Sequence, residues 1–289
     1  MRLRMTQRNA WRPKPAPAQA LQGRGILKNP PLLLQTMCLV AWHWQPDHAH
    51  PLTLIANRDE YYARPAAPLA PWAGSPIWAG RDLEAGGTWL GATASGRVAV
   101  VTNYRDMAMQ ATGRTSRGEL VQRFLESDAP APDFVAELQA RTADFNPFNL
   151  LVFDGWQLHG LEARLAHSRA VRLSPGVGAV SNADFFTPWP KLTRLREGLA
   201  GLLPTDQTPD QTLLDLLLHD EPVSDEALPQ TGLPIERERA LSSAFIRTPD
   251  YGTRARSLVR LSATQIALTE ISHGPQGVLG QVKHTILRA

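Results

Sequence analysis

The single cysteine of this 289-residue chain, Cys38, stands where it can act as a nucleophile. It directly follows Met37 and begins the apolar run Cys38-Leu39-Val40-Ala41-Trp42. Aminopeptidases remove a methionine that precedes a small residue, and trimming after Met37 would leave one residue with both a thiol and a free α-amine. A nucleophile and a base on one residue can cleave an amide by acyl transfer. The alternative is a buried small hydrophobic side chain, which is the usual role of a lone cysteine.

Four consecutive hydrogen-bonding residues, Asn57-Arg58-Asp59-Glu60, close the second apolar run. At the end of a strand such side chains can orient one another and a substrate. The alternative is a solvated turn with a surface ion pair, which contributes little to stability. Charge alone favours the solvated turn.

Two asparagines also stand at the ends of apolar runs, Asn103 after residues 98–102 and Asn182 after residues 177–181. An amide N–H is an uncharged donor that can stabilise a developing oxyanion. Asparagine is also common in turns, and for either residue alone the turn is favoured. A further polar motif, Tyr251-Gly252-Thr253-Arg254, lies between two late apolar runs, where its simplest interpretation is a loop with Gly252 in a turn.

Composition narrows the classes of function. No metal site is predicted, because the eight histidines show a metal-ligand spacing only at His48-Ala49-His50, in a hairpin loop. One cysteine excludes an internal disulfide. Residues 1–36 hold seven basic side chains and no acidic one, so the remainder, with 23 basic and 27 acidic residues, has a formal charge of −4. The net charge of +3 therefore gives no support for nucleic-acid binding.

The first 36 residues are rich in proline and basic side chains, and we predict a disordered extension. Three origins stay open: a start assigned too far upstream, a leader removed before Cys38, or a retained tail. Its apolar cluster Leu32-Leu33-Leu34 is too short for a signal-peptide core. No run of the sequence approaches the roughly 20 apolar residues of a membrane span. We expect a cytoplasmic protein with a single domain at residues 38–289.

The spacing of apolar residues predicts strands, then helices, then strands again. The predicted strands are 38–44, 52–56, 86–91, 97–102, 149–153, 157–161, 243–247, 257–261, 265–271 and 282–287. The predicted helices are 117–125, 133–140, 191–203 and 211–218, the last with Asp210 as its N-cap. Residues 64–71 are too proline-dense for regular structure. This order of elements indicates an α+β layered fold with largely antiparallel sheets.

Several motifs, taken in order, resemble the NRDE proteins, also called the transport and Golgi organisation protein 2 family. The resemblance extends from Met37 nearly to the C-terminus. The matching segments are 37–40, 54–65, 86–91, 102–105, 117–120, 148–151, 181–183, 187–191 and 248–254.

That family is similar to N-terminal nucleophile hydrolases of the choloylglycine hydrolase and penicillin V acylase kind. The resemblance implies a four-layer αββα sandwich with Cys38 as the nucleophile. It implies Arg58 with Asp59 or Glu60 as orienting partners, and Asn103 and Asn182 around the oxyanion and the amine. The hydrolases place the arginine and aspartate as Arg-x-x-Asp, whereas here they are adjacent, so the acid that faces Cys38 stays open.

The implied activity is hydrolysis of a linear amide in a small acylated molecule, without a cofactor. The predicted ligand-binding residues are Asn57, Glu60, Tyr251 and Arg254. Because members of the family have been associated with haem trafficking and with lipid or acyl-CoA homeostasis, the alternative is a non-enzymatic carrier of haem or a lipid. Cys38, His43 or an apolar cleft would then contact the ligand. A third alternative is an inactive scaffold on the same fold.

Overall fold

The first hairpin of the chain consists of β1 (Met37–Trp44) and β2 (Leu52–Tyr61), and it carries both Cys38 and the Asn57–Glu60 tetrapeptide. The computed structural model describes residues 37–106, 109, 114–165, 167–185, 187–202 and 207–288, which belong to one compact unit. The extension predicted at residues 1–36 lies outside the described residues. The two strands pair antiparallel with Cys38 opposite Arg58, as the polar loop between them predicts.

Two antiparallel sheets contain the described strands. The first has six strands in the order β10 (Gly176–Val180), β1, β2, β11 (Tyr251–Leu261), β12 (Gln265–Gly274) and β13 (Gly277–Leu287). The second has seven strands in sequence order, namely β3 (Ala66–Pro71), β4 (Ile77–Asp82), β5 (Leu90–Thr93), β6 (Val98–Asn103), β7 (Phe148–Phe153), β8 (Leu158–Ala163) and β9 (Ser168–Arg172).

Side-chain alternation along β1 and β2 gives the first sheet two buried faces. Val40, Trp42 and Leu54 join a core with Val98 and Val100 of the second sheet. The intervening residues, Leu39, Ala41 and Ile55, belong to another core that they share with helices. Since neighbouring residues of a strand point to opposite faces, even-numbered positions of this hairpin face the second sheet and odd-numbered positions face the helices.

Helices cover the outer face of each sheet. They are α1 (Gly118–Leu125), α2 (Ala131–Gln139), α3 (Pro190–Leu202), α4 (Asp210–Asp215) and α5 (Ile235–Leu241). The first two pack on β6 and β8, and α3 and α4 pack on β1 and β11. Burial of an apolar face drives this packing: Leu120, Val121 and Phe124 of α1 are all fully buried, each contributing about 1.5–3 kcal/mol. The predicted α+β class and the four-layer αββα order are confirmed.

Two of the predicted segments are wrong in type. Residues 66–71, predicted to be irregular, form β3 at the edge of the second sheet, where a proline without an N–H is tolerated, and their register shifts between Ala67 and Ala70. Residues 243–247, predicted as a strand, form bends, and only Arg247 makes an isolated bridge, to Gly252. The backbone N–H of Phe245 instead donates to the His219 carbonyl, so this segment is hydrogen-bonded to the loop that contains His219.

Other differences concern boundaries and omissions. Pro209, not Asp210, is the N-cap of α4, and Asp210 is its first residue. Of predicted strand 86–91 only Leu90 and Gly91 are extended in β5. Gly87 packs on Gly118 so closely that a Cβ on Gly87 would lie 2.6 Å from the Gly118 carbonyl carbon. Four elements were not predicted: β4, β9, β10 and α5.

Candidate active site

Cys38 lies on the face of β1 that turns toward the second sheet, at the wall of a cavity of about 260 Å³. The residue is only 4% exposed. The cavity is built from the ends of several elements: β1, β2, β4, β6 and the start of α1. Its lining residues are Cys38, Arg58, Glu60, Arg64, Asp82, Ala85, Thr88, Trp89, Val101, Asn103, Arg114, Thr115, Ser116, Arg117, Gly118 and Asn146.

The contact between Gly87 and Gly118 shapes one side of this cavity. Thr88 N–H donates to the Gly118 carbonyl at 3.3 Å, so the segment before β5 lies against the first turn of α1. This contact brings Trp89 and Arg117 to the same wall. Two of the family-like motifs, 86–91 and 117–120, therefore form one structural unit.

The side chains of Arg58 and Glu60 lie on the same face of the first sheet as Cys38, and both line the cavity. The Arg58 guanidinium carbon lies 4.4 Å from the centroid of the Trp89 ring. Its Nη2 lies 3.8 Å from Glu60 Oε2 and 3.8 Å from Asp82 Oδ2. Glu60 is therefore the acid on the Cys38 face of β2, although the Asp59 carboxylate has the larger electrostatic effect on the thiol.

Asp59 points to the opposite face of β2, toward the helices, and is paired in register with Met37. Its Oδ1 accepts a hydrogen bond from Thr253 Oγ1 at 2.6 Å, and among the described residues its buried Oδ2 has no hydrogen-bond partner. Burial raises the pKa of Asp59 to about 6, and the buried Lys191 ammonium opposes the rise. Asp59 therefore lies beside the backbone that precedes Cys38 rather than inside the cavity.

The thiol of Cys38 is protonated at neutral pH in this structure. Burial, assisted by the Asp59 carboxylate, raises the pKa of Cys38 to about 12, and the opposing effect of Arg58 is smaller. The Arg58 guanidinium, which favours the thiolate, is therefore outweighed by desolvation. A base close to the sulfur is required before Cys38 can attack a carbonyl.

The two asparagines lie in one hydrogen-bonded network next to Cys38. Asn182 Nδ2 donates to the Asn103 carbonyl at 2.9 Å, and Ser181 Oγ donates to the Cys38 carbonyl at 3.0 Å. Asn103 Nδ2 is buried, and no acceptor for it exists in the described part of the chain. Because Asn103 lines the cavity with Cys38, its amide is an uncharged donor available to a ligand there.

The other predicted ligand-binding residues hold the framework around the site. Asn57 Nδ2 donates to the carbonyls of Leu217 and Ala244, on the helix side of β2. Tyr251 is fully buried, and its hydroxyl accepts a hydrogen bond from the Met37 N–H at 2.9 Å. Arg254 donates to three carbonyls between β2 and β3, those of Tyr61, Tyr62 and Arg64. The structure brings only Glu60 of the four to the Cys38 cavity.

Four charged residues of this region were not predicted: Arg105, Lys191 and Glu238, which are buried, and Arg117, which is half-buried. Burial lowers the pKa of Lys191 to about 8, and its Nζ donates to the Leu241 carbonyl at 2.8 Å. In sequence these residues look like surface charges. The signal that could have found three of them is their place in family-like motifs, 102–105, 117–120 and 187–191.

A second cavity of about 270 Å³ shares Arg58 and Trp89 with the first. Glu270 of β12 lines it and accepts the Leu69 N–H at 2.9 Å. Burial raises the pKa of Glu270 to about 7 from its usual 4.5. The folded protein therefore holds this proton more tightly than the unfolded chain, and stability falls as pH rises from about 4.5 to about 7.

Replacing Glu270 with glutamine is expected to remove this loss of stability at high pH, because the amide oxygen still accepts the Leu69 N–H and the side chain does not ionise. We expect the free energy of unfolding to rise by about 3 kcal/mol at about pH 8 and to be unchanged at about pH 4. Urea unfolding across this pH range measures the difference. The exposed Glu197→Gln serves as the control, and a gain that does not depend on pH would contradict the interpretation.

The histidines do not join the site. His43, on β1 with Cys38, is separated from it by five residues, or about 16 Å along a strand. In the described ranges no group of three or more His, Cys, Asp or Glu side chains is placed to hold a metal ion. None of the helices that the structure describes is long and apolar enough to cross a membrane.

Comparison with known proteins identifies relatives over most of the chain. The family described as Transport and Golgi organisation 2 matches residues 37–271. The Transport and Golgi organization protein 2 homolog of Bos taurus is 32% identical over 262 residues, which cover 82% of this chain and 93% of that protein. The Homo sapiens homolog is 30% identical over 259 residues, with the same coverage.

Two solved structures are similar at a lower level. One is a Caenorhabditis elegans N-acylethanolamine-hydrolyzing acid amidase ortholog, with a TM-score of 0.38 and 9% identity, covering 76% of this chain and 92% of that one. The other is a mutant of the conjugated bile acid hydrolase from Clostridium perfringens, with a TM-score of 0.39 and 12% identity, covering 86% and 96%. Both TM-scores are low, so this likeness carries no weight for function.

Proposed function

The chain belongs to the Transport and Golgi organisation 2 family, and we propose that it is a cysteine amidohydrolase. Its substrate in this proposal is a small acylated molecule with a linear, non-peptide C–N amide bond. The observation that carries the proposal is the position of one thiol and one uncommitted amide donor at the same cavity. These are Cys38 Sγ and Asn103 Nδ2.

The proposed reaction begins with the removal of the Cys38 thiol proton, because only the thiolate attacks a carbonyl. Burial raises the pKa of the thiol to about 12 while Met37 is attached. Once Met37 is removed, the thiol gives its proton to the neutral form of the Cys38 α-amine. A free α-amine has a pKa of roughly 7.7–8.0, so it can accept this proton near neutral pH. The sulfur then attacks the amide carbonyl of the substrate. The α-amine of Cys38 passes its proton to the substrate nitrogen, which leaves as a free amine, and water hydrolyses the remaining thioester.

The surroundings of Cys38 support different parts of this reaction. Asn103 would donate to the oxyanion of the tetrahedral intermediate, an interaction typically worth about 3 kcal/mol. Arg58 lies where it can stabilise negative charge on sulfur, and Glu60 and Asp82 hold its guanidinium in place. Asp59 and Tyr251 flank Met37, so they lie next to the position of the new α-amine.

Replacing Asn103 with alanine is expected to lower kcat on acyl amides by about 10²–10³-fold, with little change in KM. The reason is that the amide donates only once negative charge develops on the carbonyl oxygen. Steady-state kinetics on a panel of acyl amides with apolar and polar acyl groups measures the effect. The rate at which a thiol reagent labels the single cysteine is the control, since it reports the nucleophile alone. A kcat near the wild-type value would rule out Asn103 as the donor.

The second cavity favours one alternative function, a carrier for an apolar ligand. Its walls include Ala66, Ala67, Pro68, Leu279 and Val282, and Cys38 does not line it. A haem carrier with Cys38 as ligand would show a thiolate-type Soret band on titration with haem. Since His43 lies about 16 Å from Cys38 along β1, the two residues cannot ligate one iron. Unchanged haem spectra together with amide turnover would support the hydrolase.

A further inference from the structure

A third cavity, of about 590 Å³, brings together residues of two motifs, and the proposed reaction uses none of these residues. Arg105 comes from the motif at residues 102–105, and Thr187 and Trp189 come from the motif at residues 187–191. The opposite wall is the segment before α5, with Gln230 and Thr231. Cys38 does not line this cavity.

Arg105 is the central polar group of this cavity. Its side chain is 2% exposed, and its guanidinium carbon lies 4.5 Å from the centroid of the Trp189 ring. Nη2 lies 3.0 Å from Glu238 Oε2. Nε and Nη1 are buried and have no hydrogen-bond acceptor among the described residues. A buried guanidinium with unused N–H groups is costly unless an acceptor reaches it.

We propose that this cavity binds the oxyanion group, carboxylate or phosphate, of a small molecule through Arg105. Arginine is suited to this task because its planar N–H groups match both kinds of oxyanion. Trp189 supports the guanidinium from one face, and the hydroxyl of Thr187 lies at the same cavity. This site is separate from the proposed amide hydrolysis at Cys38.

Glu238 and Asp184 both accept hydrogen bonds from other residues, and the ion pair with Glu238 leaves Nε and Nη1 of Arg105 without an acceptor among the described residues. Glu238 Oε1 accepts hydrogen bonds from the N–H and hydroxyl of Thr231. Asp184 accepts a hydrogen bond from Arg164 at 2.6 Å. Burial lowers the pKa of Arg105 to about 10, and Glu238 only partly opposes the change. Arg105 remains charged at neutral pH, and a bound oxyanion would supply acceptors for Nε and Nη1.

Calorimetric titration of the full chain with inorganic phosphate and with acetate, at constant ionic strength, tests the proposal. We expect saturable binding of at least one anion, and the preference between the two shows whether the site suits phosphate or carboxylate. The double variant Arg105→Gln/Glu238→Gln removes both charges, so no buried carboxylate is left alone. It is expected to bind the anion at least tenfold more weakly, with an unfolding midpoint near that of wild type.

Two exposed variants keep the test independent of folding. Gln230→Glu places a carboxylate at the cavity and is expected to weaken anion binding several-fold, whereas Gln230→Ala is expected to bind normally. Cys38→Ala is also expected to bind the anion as wild type does, which separates this site from the proposed hydrolase. The proposal is overturned if neither anion binds to wild type, or if the Arg105→Gln/Glu238→Gln variant binds with unchanged affinity.

Discussion

Replacing Cys38 with alanine is expected to abolish amide hydrolysis, with a loss in kcat/KM of at least roughly a thousandfold. The alanine removes the atom that forms the acyl-enzyme, and no other cysteine exists in the chain to replace it. The smaller side chain also fits a site where Cys38 is 4% exposed, so the fold should persist. Steady-state kinetics on acyl amides and mass detection of the thioester intermediate measure the change.

A matched control for this variant is Ser168→Ala, which also removes one heteroatom, on β9 at the far edge of the second sheet. It is expected to keep full activity. Thermal unfolding of both variants separates lost chemistry from lost structure. Turnover by a folded Cys38→Ala protein above the uncatalysed rate would show that the cavity works without the thiol.

A chain that retains Met37 is expected to be inactive, and a chain that begins at Cys38 is expected to be active. With Met37 in place the pKa of Cys38 is about 12, so only about one thiol in 10⁵ is ionised at pH 7. The nitrogen of Cys38 is then an amide and cannot accept the proton. Removal of Met37 supplies an amine with a pKa of roughly 7.7–8.0 and takes away part of the cover over the sulfur.

Specific proteolysis before Met37 or before Cys38 would yield two proteins that differ by one residue. We expect their rates on acyl amides to differ by at least about 10³-fold. Intact mass confirms which residue comes first in each preparation, and thiol labelling checks that both remain folded around Cys38. An active preparation whose mass still includes Met37 would refute the α-amine as the base and leave Cys38 in need of another proton acceptor.

The sequence predicted the part of the site that depends on strand ends. Cys38, Arg58, Glu60 and Asn103 each stand where an apolar run begins or ends, and β-pairing necessarily brings such ends together. The same logic misplaced Asn57, whose position differs from that of Arg58 by one residue. In a strand, a shift of one residue turns a side chain to the opposite face. Only the packing of the two sheets against each other decides which face holds the cavity.

The burial of charged residues around the site could not be predicted from the sequence. Lys191 and Glu238 sit in short polar segments that are typical of exposed helices, yet both are buried because long-range packing of α3 and α5 encloses them. The edge strand β3 was missed for a related reason. Its prolines exclude a central strand, but whether a strand lies at an edge depends on the order of the whole sheet.

The alternation along β1 also has a consequence for how such a protein can change over evolutionary time. The thiol of Cys38 faces one layer of the sandwich, whereas the backbone before it runs beside Asp59 and Tyr251 in another. In the proposed hydrolase, substitutions in the first layer would alter which ligand fits, and substitutions in the second would alter the surroundings of the proton acceptor. Selectivity and proton transfer can therefore diverge independently in descendants of one ancestral protein.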